Sequence, residues 1–192
     1  GSRLIQQALI GKAEIEEVWL TEDYAVSPNS QTLVKSLIEF GKNFEKVETK
    51  SLHQICDSQN EQGVAALVSI PKYKETGGFP SLYFDGISDP GNLGTLLRTA
   101  VWFGIKTIYF SSDSVDPFNS KVLRSGMGAH FHLDTLNKID PSDFFAFQRK
   151  KSCRIIGTNM SGKSIYDFQL TDKKNWLLIL GNEARGISEN LD

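Results

Sequence analysis

The apolar positions of the first 70 residues alternate between helical and strand spacing. Ser2 is placed to cap a helix over Arg3–Ile10, and Ile15–Leu20 has the composition of a strand. Leu33, Leu37, Ile38 and Phe40 form an approximately helical stripe behind Asn29 or Ser30, which predicts a helix reaching about Gly41. A short helix near Leu52–Cys56 and a strand at Val64–Ile70 follow. The order is helix, strand, helix, an optional strand, helix, strand, which describes a small layered unit. Pro71–Pro80 interrupts this series: it is bounded by prolines, contains Gly77-Gly78 and has no period, so it reads as a linker. A second series begins with the nearly continuous apolar strand Ser81–Asp85. Its helix carries Leu93, Leu96, Leu97, Ala100 and Val101 at i, i+3, i+4, i+7 and i+8. Further strands are expected at Lys106–Phe110, Cys153–Gly157 and Trp176–Leu180, with helices at Phe118–Met127 and Ser142–Lys151. Trp176–Leu180 does not alternate, which predicts burial on both faces. Strands interleaved with helices, one of them wholly apolar, indicate an α/β protein with a parallel sheet covered on both sides. The expected division is a domain over 1–71, a linker over 72–80 and a second domain over 81–192.

Composition narrows the class without choosing a function. The chain has 192 residues, 40% of them hydrophobic, enough for an ordinary core. No apolar run approaches the roughly 18 residues of a membrane span, and nothing at the start resembles a signal peptide. Two distant cysteines, Cys56 and Cys153, make neither a disulfide framework nor a zinc site, and a reducing cytoplasm fits. Net charge is −2, so any nucleic-acid contact must use local basic patches and not a global field.

Three glycine-rich loops follow strands, where ligands of parallel sheets usually bind. Gly157–Ser164 satisfies G-x-x-x-x-G-K-S, the pattern that cradles nucleotide phosphates. Only Ile165–Leu170 remains for the long helix that such a site needs, so a turn that happens to match is favoured over a nucleotide-binding loop. Asp85–Gly94 opens the amphipathic helix, whose N-terminus suits anions. Arg98 lies about 140° around that helix from Leu93, off the buried stripe and beside Thr95, Thr99 and Trp102. A surface arginine and a functional one are equally consistent with that position. Leu180–Ser188 carries two glycines and a carboxylate behind an apolar strand, as a site or a plain turn would. Lys121 and Arg124, with Ser125, form a small basic feature, as does Arg149–Lys151. His130 and His132 alternate on a short strand-like piece with no further ligand at metal spacing, so no metal site is expected.

Taken together, these pieces resemble the SpoU or TrmH-like family of RNA ribose 2′-O-methyltransferases, in the knotted SPOUT superfamily. Asp89–Ala100 is similar to the family's first motif, Lys121–Ala129 to the segment lining its RNA side, and Leu180–Ser188 to its second motif. Order and spacing agree over about residues 81–192, and the first 70 residues resemble the family's α/β/α substrate-binding domain. The resemblance implies a parallel-sheet SPOUT domain that takes S-adenosylmethionine as cofactor and RNA (rRNA or tRNA) as partner, acting as a homodimer without metal. It implies catalytic roles for Arg98, Asn92 and Glu183, and cofactor contacts at Thr158, Asn159, Leu180, Gly181 and Ile187. RNA contacts are implied at Lys121, Arg124 and Ser125. The rival from another class is a non-catalytic RNA-binding protein on the same fold. The family's third, knot-forming motif is expected to be absent from this chain, and its opening strand to lie ahead of Gly1.

Overall fold

The computed structural model describes residues 1–56, 62–75, 77–142, 144–145, 153–160, 162–169 and 175–191. Its contacts divide the chain into two compact units, Gly1–Lys72 with Met127–Phe131, and Tyr73–Gly126 with His132–Asp192. The first unit contains α1 (Ser2–Ile10), β1 (Ile15–Thr21), α2 (Glu22–Val26), α3 (Gln31–Glu39), β2 (Glu45–Val47), α4 (Thr49–Ile55) and β3 (Val64–Val68). Its three strands lie in the order β2-β1-β3, with β1 parallel to β2 and antiparallel to β3. Ile5, Ala8 and Leu9 of α1 pack with Val18, Leu20, Leu33 and Leu37 in one core. The optional strand is therefore real and is β2. Two caps differ from expectation. The first helix starts at Ser2 itself, and its cap position Gly1 makes no side-chain bond. Ser30 spends its hydroxyl on the preceding turn, donating to the carbonyls of Ala25 and Ser27 at 2.9 and 2.8 Å, so it does not cap α3.

The second unit contains β4 (Ser81–Phe84), α5 (Pro90–Trp102), β5 (Thr107–Phe110), α6 (Ser120–Gly126), β6 (Thr135–Lys138), β7 (Arg154–Gly157) and β8 (Trp176–Leu180). The sheet order is β6-β5-β4-β8-β7 and every pairing is parallel. β4 and β5 are buried at every position, Ser81 and Thr107 included, as inner strands of a parallel sheet covered on both faces are. Tyr83, Tyr109, Phe144, Phe145, Leu177 and Ile179 form the aromatic core behind them. Burial, reinforced by the charges of Asp85, Asp113 and Asp140, raises the Tyr83 phenol well above its usual range, so it stays neutral and donates to the Ile139 carbonyl at 3.3 Å.

Several elements depart from the sequence reading. β8 buries only one face: Leu177 and Ile179 point inward, whereas Trp176, Leu178 and Leu180 are half-buried. β6 is a strand that Thr-Leu-Asn-Lys, with its single apolar residue, did not announce. His130 and His132 sit in a 3₁₀ turn, Ala129–His132, and not in a strand. The stretch read as a linker is fastened to the second unit. Lys74 N donates to Asp134 O at 3.0 Å, and Asn137 Nδ2 donates to the carbonyls of Lys74 and Glu75. Of the helix expected over Ser142–Lys151, residues 142, 144 and 145 are described, and the basic run Arg149–Lys151 lies outside the described residues.

Candidate active site

Strand order decides where the site can lie. From the central strand β4 the chain moves out through β5 and β6 on one side, and returns through β7 and β8 on the other. The loops leaving β4 and β8 therefore emerge from neighbouring strands at their carboxyl ends, and the crevice outside those ends is the usual ligand position in such sheets. Phe84 pairs with Leu180, so the two loops start side by side.

The loop after β4 leads into α5. Asp89 caps that helix, its Oδ1 accepting from Asn92 N at 2.7 Å, and Pro90 stands at the first turn where no N–H is needed. The buried face is Leu93, Gly94, Leu97 and Ala100. Leu96 and Val101 of the expected stripe are only half-buried, because Gly94 takes the central place against α6. A Cβ at Gly94 would stand 2.6 Å from Gly126 N and 2.7 Å from Val122 O, so the two helices touch backbone to backbone. Ser125 seals this contact: its hydroxyl lies 3.0 Å from Pro90 O and 2.9 Å from Lys121 O. That hydroxyl is thereby engaged in helix packing, whereas Lys121 and Arg124 of the same helix are exposed at i, i+3 spacing. Arg98, one turn beyond Gly94 on the same helix face, is exposed.

The loop after β8 is a tight turn built by Asn182. Asn182 and Gly186 exchange backbone hydrogen bonds at 2.9 Å, and the Asn182 Oδ1 accepts from the N–H groups of Ala184 and Arg185. Gly186 has φ +73°, in the left-handed region that favours glycine, and a Cβ at Gly181 would collide with the Gly186 backbone. Four hydrogen bonds then cross to the loop after β4 and the first turn of α5. Asn182 Nδ2 donates to Gly86 O at 2.8 Å. Asp85, 3% exposed, accepts from both N and Oγ of Ser188 on one carboxylate oxygen at 2.7 Å, which compensates the burial of its charge. Asn92 Nδ2 donates to Glu183 Oε1 at 2.6 Å. The structure therefore brings Asn92 and Glu183, 91 positions apart, into direct contact. Asp85, Asn182 and Ser188 were not singled out from the sequence. Their types are ordinary at strand ends and turns, and only the strand pairing gives them partners.

The other candidates gather at the ends of β7 and β8. Thr158 donates to Ile179 O through both N and Oγ1, at 3.3 and 3.1 Å. A Cβ at Gly157 would lie 3.1 Å from Ile187 Cδ1, so the loop after β7 abuts the loop after β8. Beside them lies a cavity of about 710 Å³ lined by Ile156, Thr158, Asn159, Ile165 and Leu178, among others. Apolar walls with a few polar side chains, Thr158 and Asn159 among them, suit a small ligand with a flat ring and a few hydrogen-bonding atoms. The phosphate-loop reading of Gly157–Ser164 does not survive. It opens only the three-residue 3₁₀ turn Ile165–Asp167, whose Tyr166 N–H is taken by Ser164 Oγ. Such a turn supplies neither the aligned N–H groups nor the dipole that hold a triphosphate.

Comparison with known proteins places this geometry. Residues 80–192 match the model of the SpoU rRNA Methylase family, and residues 1–74 match that of RNA 2′-O ribose methyltransferase substrate binding. The 23S rRNA (guanosine(2553)-2′-O)-methyltransferase RlmP of Bacillus subtilis is 26% identical over 100% of this chain and 73% of its own length. A TrmH-family protein of Porphyromonas gingivalis, described as a putative RNA methyltransferase, superposes over 100% of this chain and 74% of that one, with TM-score 0.81 and 25% identity. The SpoU methyltransferase AviRb of Streptomyces viridochromogenes, solved in complex with AdoMet, covers 100% of this chain and 75% of its own, with TM-score 0.79 and 21% identity, a likeness of fold. The chain spans 52% and 35% of the length of two further curated relatives.

Proposed function

The chain belongs to the SpoU rRNA methylase family, and from that premise we propose that it transfers a methyl group from S-adenosylmethionine to a ribose 2′-hydroxyl of structured RNA, rRNA or tRNA, in the cytoplasm. The observation that carries this reading is the 2.6 Å bond from Asn92 to Glu183, which ties the first turn of the helix bearing Arg98 to the loop after β8. It joins the two motifs across the crevice, where a nucleoside and a methyl donor would have to meet.

S-adenosylmethionine, when bound, supplies the methyl group on its sulfonium. Thr158, Asn159, Leu180, Gly181 and Ile187 are the residues to hold it: half-buried Leu180 and Ile187 offer apolar surface, and Gly181 lets the turn close tightly beside them. Arg98 holds the RNA. A guanidinium has a pKa above about 12, so it does not serve as a general base. Arg98 instead clamps the phosphate next to the reacting ribose and stabilises negative charge on the 2′-oxygen as its proton passes to solvent water. Asn92 and Glu183 fix the loops so that this oxygen lies in line with the methyl group. Lys121 and Arg124 add phosphate contacts along α6, and Ser125 keeps α6 against α5. The 2′-hydroxyl itself separates RNA from DNA. The active form is proposed as a homodimer. Its support is the exposure of Trp102 and Phe103 at the end of α5, beside an apolar groove formed by Leu82, Leu96, Trp176 and Leu178.

Incubation of the full chain with radiolabelled S-adenosylmethionine and total RNA, followed by mapping of the label, tests the reading. Label is expected on a ribose, and Arg98→Ala is expected to remove most of it while cofactor affinity stays nearly intact. RNA binding without transfer in the wild type would favour the non-catalytic alternative.

A further inference from the structure

Arg185 has no part in the roles assigned so far. Its N–H is held by Asn182 Oδ1 at 3.1 Å, which sets the residue in the same turn as Glu183. Its guanidinium stands 4.0 Å from Asp113 Oδ2, with the two side chains 74% and 55% exposed. An ion pair that long and that wet is weak and easily exchanged. Asp113 is itself anchored: its other carboxylate oxygen accepts from Ser111 Oγ, and that hydroxyl oxygen receives Gly86 N–H at 2.8 Å. The guanidinium is thus carried over Gly86, where a Cβ would lie 3.8 Å from Arg185 Nη2 and 3.2 Å from Asp113 Oδ2. Gly86 has φ +64°, and its N–H and carbonyl are taken by Ser111 and Asn182, so the backbone that carries the pair is fixed. A planar fork of donors, exposed and loosely tethered on a fixed turn at the carboxyl ends of β4 and β8, suits an incoming phosphate.

We propose that Arg185 is a phosphate-binding residue for the RNA substrate, parked on Asp113 in the free protein and transferred to a backbone phosphate when RNA enters the crevice. The proposal rests on the methyltransferase reading above. The carboxylate of S-adenosylmethionine is the other anion that a guanidinium here could take, and the test separates the two.

Affinity of the full chain for a fluorescein-labelled pool of fragmented ribosomal RNA, measured without cofactor across a salt series, reads the role directly. Arg185→Ala is expected to weaken RNA binding about tenfold and to reduce the slope of log Kd against log salt by about 1. Arg185→Lys should restore part of the affinity, and the Kd for S-adenosylmethionine should not move. Asp113→Asn keeps an oxygen for Ser111 while removing the charge, so RNA binding should be equal to wild type or tighter. If Asp113→Asn weakens RNA binding as Arg185→Ala does, the pair is a loop brace and the proposal fails. It fails equally if Arg185→Ala leaves RNA binding unchanged, or if the loss falls on cofactor affinity alone. A wild type that binds RNA in this way but transfers no methyl group overturns the catalytic reading and leaves Arg185 in place. One that binds no RNA overturns both.

Discussion

Asn92 and Glu183 are both exposed, so their hydrogen bond contributes little to stability, while their placement governs the loops around Arg98. An exposed polar pair of this kind is worth about 1 kcal/mol or less. Glu183→Ala should therefore shift the melting temperature by no more than about 2–4 °C, the change expected for 1 kcal/mol in a chain of 150–250 residues. The same change should lower kcat at least about tenfold if the carboxylate orients the catalytic loops. Combined with Arg98→Ala it should cost far less than the product of the two single losses, because the residues act as one unit. Steady-state kinetics on the two single variants and the double variant, read beside their melting curves, decides it, and full additivity would make Glu183 independent of Arg98. The sequence reading already named Arg98, Asn92 and Glu183 through their motifs. Asp85, Asn182 and Ser188 were not legible, since a carboxylate, an amide and a hydroxyl near turns have many uses until strand pairing selects one.

At the scale of elements, Gly94 sets the separation of α5 and α6. Alanine at an ordinary helix position improves propensity by about 1 kcal/mol over glycine. Here the added methyl group would meet backbone atoms of Gly126 and Val122, which cannot rotate aside as a side chain would. Overpacking typically costs about 1–3 kcal/mol, and a backbone obstacle places this site at the upper end, so the clash outweighs the propensity. Gly94→Ala is expected to destabilise the chain by about 1–2 kcal/mol in urea unfolding. The helices it forces apart carry Arg98 and Lys121, so methyl transfer should fall as well. Equal or greater stability of the variant would show that α6 shifts without penalty. The glycine stood visible in its motif, but its reason did not, because helix contact is a property of two segments about 30 positions apart.

For the whole molecule, Trp102 at 86% and Phe103 at 75% exposure are large apolar side chains on one helix end. With Leu96 and the half-buried face of β8 they form the kind of surface a protein partner covers. Light scattering at micromolar concentration should return twice the mass of the chain, and Trp102→Glu with Phe103→Glu should return it to one. A wild type that is monomeric at that concentration counts against the second copy. The sequence by itself determined the α/β class, the two successive series of elements, the apolar strands and the three motifs. Those features are local, set by the periods of helix and strand and by the residue types that turns admit. The strand order β6-β5-β4-β8-β7 was decided only in the tertiary structure, and with it the meeting of Asn92 with Glu183 and of Asp85 with Ser188. So was the half-covered face of β8. Each depends on which segments become neighbours, and burying the apolar strands in one sheet settles that in a way no local pattern records.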